Sequence, residues 1–328
     1  MRRLAIALVS ALALGLAAAP ALAQADNYPN KPIRVLVPYG PGGLTDMIAR
    51  LLAESMRETL GQNIIVENKP GGSGIIAIRD LVRSQPDGYT IMIGNVSTNG
   101  LTPILFRDRM EMDYNKEVTG IANLASAPAV VVANNNFPPN TFKEFIEYAR
   151  SNPNKVRYGS AGIGAYQQIN TEHLSAQEKL KMIHIPIKGG GSEIMQNLMN
   201  GDIQVTFFNL TNSARHIKDK KIKGYAITTD ERHPLAPELP TLAELGYAHV
   251  GVTQWQAAFS RSDVPVEIRQ KLNDAFLKAL KSPKVIEVYN NTGTIIPKPQ
   301  NAKEVSDWVS AEQVRMKKII DETGITVK

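Results

Sequence analysis

Twice in this chain an apolar strand runs straight into a glycine-rich turn that opens a helix. At residues 34–46, Val35, Leu36 and Val37 lead into Gly40, Pro41, Gly42 and Gly43, and a helix begins at Thr45-Asp46. At 156–165 the strand Val156 to Ser160 leads into Ala161, Gly162, Ile163 and Gly164, and a helix follows from about Ala165 to Leu174. Glycine lets backbone N–H groups approach a ligand with no side chain in the way. The helix behind it starts with unpaired N–H groups and a partial positive charge. Together they form a ready anion site. The lysine and Ser/Thr of a nucleotide P-loop are missing from the first turn, which therefore reads as a carboxylate cradle. The second turn reads either as a facing cradle or as a tight connection, and its pairing with the first favours ligand binding.

The rest of the chain alternates in the same way. Ile48, Leu51, Leu52, Met56 and Leu60 recur at helical spacing, and Gly61 ends that helix. Asn63–Glu67 is predicted as a strand, Ile75–Ser84 as a helix, Pro86-Asp87-Gly88 as a turn, and Tyr89–Gly94 as a strand. Successive β-α-β units of this kind build a parallel sheet covered on both faces. A second region starts near residue 125. It holds strands at Ala129–Ala133, Met182–Pro186 and Ile203–Phe208, and helices at Thr141–Ser151 and Ser192–Asn200. Thr141 and Glu144 are placed for a capping box. From about Trp255 the chain carries three further helices, Pro265–Ser282, Pro283–Asn290 and Asn301–Thr323, which return to pack on the first lobe.

The expected organisation is an α/β clamshell of two lobes, each a mostly parallel sheet with flanking helices. Residues 28–125 and 251–328 form one lobe and 126–250 the other. Ligands of open α/β sheets bind beyond the carboxyl ends of the strands. The turns at 38–45, 94–100, 159–165 and 188–192 belong to that edge.

Composition narrows the chemistry. Residues 1–23 read as a cleaved secretory signal: Arg2 and Arg3, an apolar run from Leu4 to Leu16, and the small-x-small site Ala21-Leu22-Ala23. The chain has no cysteine, which excludes disulfides, thiolate nucleophiles and cysteine-held metals. The formal charge of +6 becomes +4 when Arg2 and Arg3 leave (6 − 2). The one basic cluster, Lys218 to Lys223, reads as a solvated helix end before a strand rather than a nucleic-acid surface. None of the five histidines has metal-ligand spacing to another. Ser160 lacks the glycine two positions earlier that a nucleophile elbow requires; Tyr158 stands there. Lys188 either brings a cation to the cleft or belongs to a flexible turn. Trp255 reads as core or hinge packing before ligand stacking.

The chain resembles the periplasmic solute-binding receptors of tripartite tricarboxylate transporters, the Bug-type proteins. The matching stretches are Tyr28–Ile33, Val37–Asp46, Val66–Gly74, Pro86–Tyr89, Tyr158–Gly162, Ile185–Gly189, Ala226–Thr229 and Leu239–Leu242. The resemblance implies a type II periplasmic binding fold, a carboxylate ligand, delivery to an integral-membrane permease, a monomer, and no chemistry on the ligand. No cofactor, metal or nucleic acid is expected. The rival reading is an exported enzyme acting on a small organic acid, which would need a nucleophile–base pair or a metal set. By resemblance the ligand residues are Tyr39, Gly40, Gly43, Thr45 and Asp46 in the first loop, Ser97 and Thr98 after the Gly94 strand, and Ser160, Ala161 and Gly164 in the second lobe. Three positions depart from the family pattern: Ala165 stands where Ser or Thr is usual, Gln168 where a His is usual, and Phe208 where many members have Asp. An Asp there can pair with a ligand ammonium. A buried ammonium without a partner costs on the order of several kcal/mol, so an amino-acid ligand is disfavoured. Phe208 and Ala165 together point to a mono- or dicarboxylate with an apolar or aromatic body.

Overall fold

A computed structural model describes residues 27–187, 190–248 and 250–326. The signal segment and Lys188 lie outside the described residues.

Among the described residues ten strands form two five-stranded sheets: β1 (Ile33–Val37), β2 (Ile64–Asn68), β3 (Thr90–Asn95), β4 (Val118–Ala127), β5 (Ala129–Asn134), β6 (Arg157–Ser160), β7 (Ile183–Pro186), β8 (Val205–Asn209), β9 (Ile222–Ile227) and β10 (Gln254–Arg261). The first sheet has the order β2-β1-β3-β10-β4 and the second β7-β6-β8-β5-β9. The two share one plan. β1 pairs in parallel with β2 and β3, as β6 does with β7 and β8. β10 and β5 are antiparallel to both of their neighbours. Four strands of each sheet therefore run one way and one runs against them. The two antiparallel strands are those that enter from the other sheet. β4 becomes β5 across Pro128 alone, and the chain returns by the long segment between β9 and β10.

Among the described residues nine main helices cover the sheets: α1 (Leu44–Leu60), α2 (Ile75–Arg83), α3 (Phe142–Ser151), α4 (Tyr166–Glu178), α5 (Gly191–Asn200), α6 (Leu210–Lys218), α7 (Val266–Ala279), α8 (Pro283–Thr292) and α9 (Ala302–Thr323). The periodic apolar residues Ile48, Leu52 and Met56 form the buried face of α1, and Gly61 ends it in the left-handed conformation with its N–H on Arg57 O. In α3, Thr141 caps the Glu144 amide, but the Glu144 carboxylate accepts from the Asn140 amide, so the expected capping box closes one residue early. α9 starts with a complete box between Asn301 and Glu304. It packs on β4 of its own lobe and on α4 of the other. One apolar cluster runs from Leu36 and Ile78 through Trp255 and Met316 to Val131 and Phe207, so hydrophobic packing joins the lobes on that side. Trp255 belongs to this packing: its indole N–H donates to Glu312 and its ring meets Trp308 edge-on at 5.1 Å.

β4 and β10 had no strand signature in the sequence. They are rich in Ala, Ser, Gln, Asn and Gly, and both are almost wholly buried. Burial on both faces removes the apolar–polar alternation by which a strand is recognised. No helix among the described residues is long and apolar enough to cross a membrane.

Candidate ligand-binding site

A cavity of about 70 Å³ lies between the lobes, at the carboxyl ends of the parallel strands. The first loop supplies Tyr39, Gly40, Pro41, Gly43, Leu44 and Thr45. Asn95 and Ser97 follow β3. The second lobe adds Ala161, Tyr166 and Gln167, then Gly190 to Ser192, then Phe208, Asn209 and Asn212, with Gln254 at the start of β10. None of these described lining residues carries a charge.

Positive potential comes instead from helix openings. α1, α4 and α5 begin at Gly43, Ala165 and Gly190, none of which supplies a side-chain cap; the first amide of α4 is met from the other lobe by Ser97 Oγ, and the first residues of all three line the cavity. Each unsatisfied helix start favours an anion by about 0.3–1 kcal/mol, and more when sheltered from water. At α6 the Asn209 side chain caps the Asn212 amide at 2.9 Å.

A chain of hydrogen bonds stiffens the first-lobe wall. Tyr39 Oη donates to Asn95 Oδ1 at 2.9 Å, Asn95 Nδ2 to Thr45 Oγ1 at 3.2 Å, and Thr45 Oγ1 to Gln256 Oε1 at 2.8 Å. Burial pushes the Tyr39 hydroxyl up to about 12, so it stays protonated. Asn95 Oδ1 also accepts from the Ser97 amide, and the Asn95 amide donates to Thr98 Oγ1.

The residues expected at the site fall into two groups. Tyr39, Gly40, Gly43, Thr45, Ser97, Ala161 and Phe208 line the cavity. The other described ones stand behind it. Asp46 faces back into its own loop: its carboxylate accepts from the Gly42 amide at 3.0 Å, Asn68 Nδ2 at 2.8 Å and Arg50 Nε at 3.1 Å. Burial opposes that charge, but the bonds from Arg50, Gly42 and Asn68 outweigh it and hold the carboxyl below the usual range. Thr98 is buried beneath the Asn95 turn. Ser160 turns away, to Gly162 O at 2.8 Å and His184 Nε2 at 2.6 Å. Gln168 accepts from the Gly164 amide at 2.8 Å. Ala165 opens α4 and is buried. Gly164 has φ +78, and a Cβ there would sit 2.9 Å from Leu105 and 3.2 Å from Phe106 of the first lobe.

The lobes are closed on each other. Ser97 Oγ of the first accepts from the Tyr166 amide of the second at 3.1 Å, and Ser73 Oγ donates to Ile163 O at 3.4 Å. Phe208 is both cavity wall and core. It belongs to one apolar cluster with Val130, Val132, Ile194 and Leu198.

Several lining residues were not among the ligand residues named from the sequence. Asn95 lies one residue past the predicted strand. Tyr166 and Gln167 form the first turn behind the second glycine loop. Gly190–Ser192 belong to the 188–192 turn that the sequence had placed at the ligand edge. Asn209 and Asn212 carry a readable N-cap pattern, an Asn at a strand-to-helix junction. Gln254 has no local signal, because only the return of β10 into the first sheet brings it to the cleft.

This is a two-lobe α/β periplasmic binding protein fold. Its cavity lies between the lobes and is lined by helix starts whose N-cap residues supply no side-chain cap. The chain belongs to the tripartite tricarboxylate transporter receptor family, whose model matches residues 48–325. It is similar to periplasmic binding protein BugD, at 30% identity and a TM-score of 0.84 over 92% of this chain and 100% of that one. It is also similar to MatC from Rhodopseudomonas palustris with bound malate, at 29% identity and a TM-score of 0.83 over 89% and 100% of the two chains. A third is Rpa4515 of R. palustris with adipate, at 27% identity and a TM-score of 0.85 over 92% and 99%. The protein is a solute-binding receptor of the Bug type and not an enzyme. The Ser160–His184 pair lies behind the cavity and props a loop.

Proposed function

We propose that this protein captures a small organic carboxylate in the periplasm and delivers it to a permease of the tripartite tricarboxylate type. One observation carries the reading: three helices whose own N-cap residues supply no side-chain cap open on a single cavity that has no charged side chain among the described residues. Such a wall suits a carboxylate, which takes the place of the missing caps. The malate and adipate held by the two similar proteins agree with it. In this reading the chain is exported with residues 1–23 removed and works as a monomer. Residues 28–125 and 251–328 close as one lobe against 126–250.

The ligand carries an apolar or aromatic body against Phe208 and no ammonium. No carboxylate among the described lining residues could pair with one. Titration calorimetry of the mature protein with a panel of organic acids tests this. Saturable binding of a carboxylate without turnover supports the receptor, and aspartate or glutamate should bind more weakly than succinate. Phe208→Ala should weaken the best ligand by about 1–3 kcal/mol, the scale of one buried aromatic surface. Tightest binding of aspartate, or unchanged affinities in Phe208→Ala, would overturn the assignment of the ligand body.

A further inference from the structure

The edge of the second sheet that faces away from the cavity is basic. Strands β6, β7, β8 and β9 run one way, so the loops that lead into them lie together at the end opposite the cleft. Six exposed lysines stand in these loops and at the helix ends before them: Lys155 ahead of β6, Lys179 and Lys181 ahead of β7, and Lys218, Lys220 and Lys221 ahead of β9. The cluster at 218–223 is thus one end of a wider patch. Five strands about 4.8 Å apart spread it over roughly 20 Å. The Asn154 amide donates to Lys181 O at 2.7 Å, which joins the first two loops. A groove of about 480 Å³ lined by Lys155, Arg157 and Phe137 continues the edge toward β9. There Lys223 holds the neighbouring turn by donating to Pro139 O at 3.0 Å.

Among the described residues none of the six lysines forms an ion pair. The acids of the same loops are Asp202 and Asp219, and Asp219 lies 3.8 Å from Arg215. Lys179 and Lys218 close α4 and α6, where a cation suits the helix end. Lys155, Lys181, Lys220 and Lys221 lie beyond the helices and have no such use. The matching edge of the first lobe pairs its charges: Lys31 with Asp87 at 3.1 Å, Lys116 with Asp113 at 3.0 Å, and Arg261 with Asp263 at 2.5 Å. The make-up of the patch selects a partner. Protein interfaces favour arginine and aromatic side chains and are poor in lysine. A row of strongly hydrated lysines suits a diffuse negative surface, which asks for charge and not for shape. Ile183 and Met199, exposed by 40% and 38%, sit at the same edge and supply apolar contacts of the kind that reach headgroup depth.

We propose that this edge of the second lobe docks the protein on an anionic phospholipid surface and leaves the cleft uncovered. Solute capture does not require this docking, which serves the delivery reading above by keeping the receptor beside the membrane that holds the permease. The test is co-sedimentation of the full mature chain with vesicles of about 30% phosphatidylglycerol in phosphatidylcholine, against phosphatidylcholine alone. At about 50 mM salt the anionic vesicles should bind at least about tenfold more tightly, since each lysine near such a surface is worth about fivefold. At about 300 mM salt the difference should shrink to less than about threefold. The combined variant Lys155→Gln, Lys181→Gln, Lys220→Gln and Lys221→Gln should weaken vesicle binding at least about fivefold. A control with Lys284→Gln, Lys303→Gln, Lys317→Gln and Lys318→Gln removes the same charge from the first lobe and should bind within about twofold of the wild type. If the first variant fails to fold, the pair Lys220→Gln and Lys221→Gln replaces it, with a loss of about threefold or more. Carboxylate affinity should stay within about twofold in all of them, so this proposal and the receptor reading fail separately. Equal binding to the two kinds of vesicle overturns the proposal. Equal losses in the variant and its control would make net charge responsible and overturn the assignment to this edge. Retention on immobilised polyglutamate without binding to anionic vesicles would make the partner an acidic protein and overturn the membrane.

Discussion

The two glycine-rich loops look alike in sequence and do different work in the structure. The first, residues 39–46, turns its backbone and the Tyr39 and Thr45 side chains to the cavity, and a charged network of Asp46, Arg50 and Asn68 braces it from behind. The second, residues 160–165, gives the cavity only Ala161. Its Ser160 turns back to His184, and its Gly164 lies against Leu105 and Phe106 of the opposite lobe. The first loop lines the cavity, and the second lies against the opposite lobe. A strand, a glycine turn and a helix start fix the local backbone, but what the turn faces depends on the rest of the fold.

The largest effect should come from the second loop. Gly164 has a left-handed φ of +78, and a Cβ there would press on Leu105 Cδ1 at 2.9 Å and the Phe106 ring at 3.2 Å. Gly164→Val therefore meets both backbone strain and overpacking against the other lobe. Together these should remove about 2–4 kcal/mol from the closed state. Affinity should fall by roughly 30-fold or more, and small-angle scattering with ligand present should report a more open particle. A variant that closes and binds like the wild type would mean that the second loop is not a closure contact.

The first loop should respond differently. Gly43 has an ordinary φ of −82, and a Cβ there meets nothing within 4 Å. The protein itself therefore tolerates a side chain at Gly43, and the ligand space does not. Gly43→Val should lower carboxylate affinity at least tenfold, about 1.4 kcal/mol, with native circular dichroism and an unchanged melting temperature. Gly42 is the conformational glycine of this turn, at φ +85, and its substitution should cost stability as well. If Gly43→Val binds the best carboxylate as the wild type does, the first loop does not hold the ligand.

This contrast marks how far the sequence could be read. The β-α-β order, both glycine loops and the returning C-terminal helices were legible, because strand and helix periods and glycine turns are local signals. The roles of Asp46, Ser160, Gly164 and Gln168 were not. Each belongs to a motif that resembles a ligand cradle, yet each spends its polar group on the protein: Asp46 on Arg50, Ser160 on His184, Gln168 on Gly164. Only packing decides whether a hydroxyl or carboxylate in such a turn faces inward or outward. Gln254 and β10 lay further beyond reach, because a strand buried on both faces has no alternating pattern, and its register with β3 is a long-range property.

The braces behind the two loops should also part as pH falls, and this is the smallest effect. Behind the first loop stands a carboxylate held low by its partners. That contribution is present above the ordinary Asp value and is lost only as pH falls through the still lower folded value. Behind the second loop stands an imidazole. His184 stacks on Tyr158 at 4.9 Å and bonds to Ser160, and burial lowers its pKa from 6.5 to about 4. The unfolded chain takes up a proton on this histidine as pH drops below 6.5, and the folded chain resists until about 4. The stability from neutral His184 is therefore whole above pH 6.5 and drains away between 6.5 and 4. His184→Gln keeps a polar group for Ser160 and cannot titrate. The difference in melting temperature between wild type and variant should change steadily in favour of the variant across that window and stay constant above it. Ligand affinity at pH 7.5 should differ by less than about threefold between them, because His184 touches the loop from behind the cavity. Parallel melting curves at every pH would show that His184 is solvated in both states, and the second loop would then be no more acid-sensitive than the first.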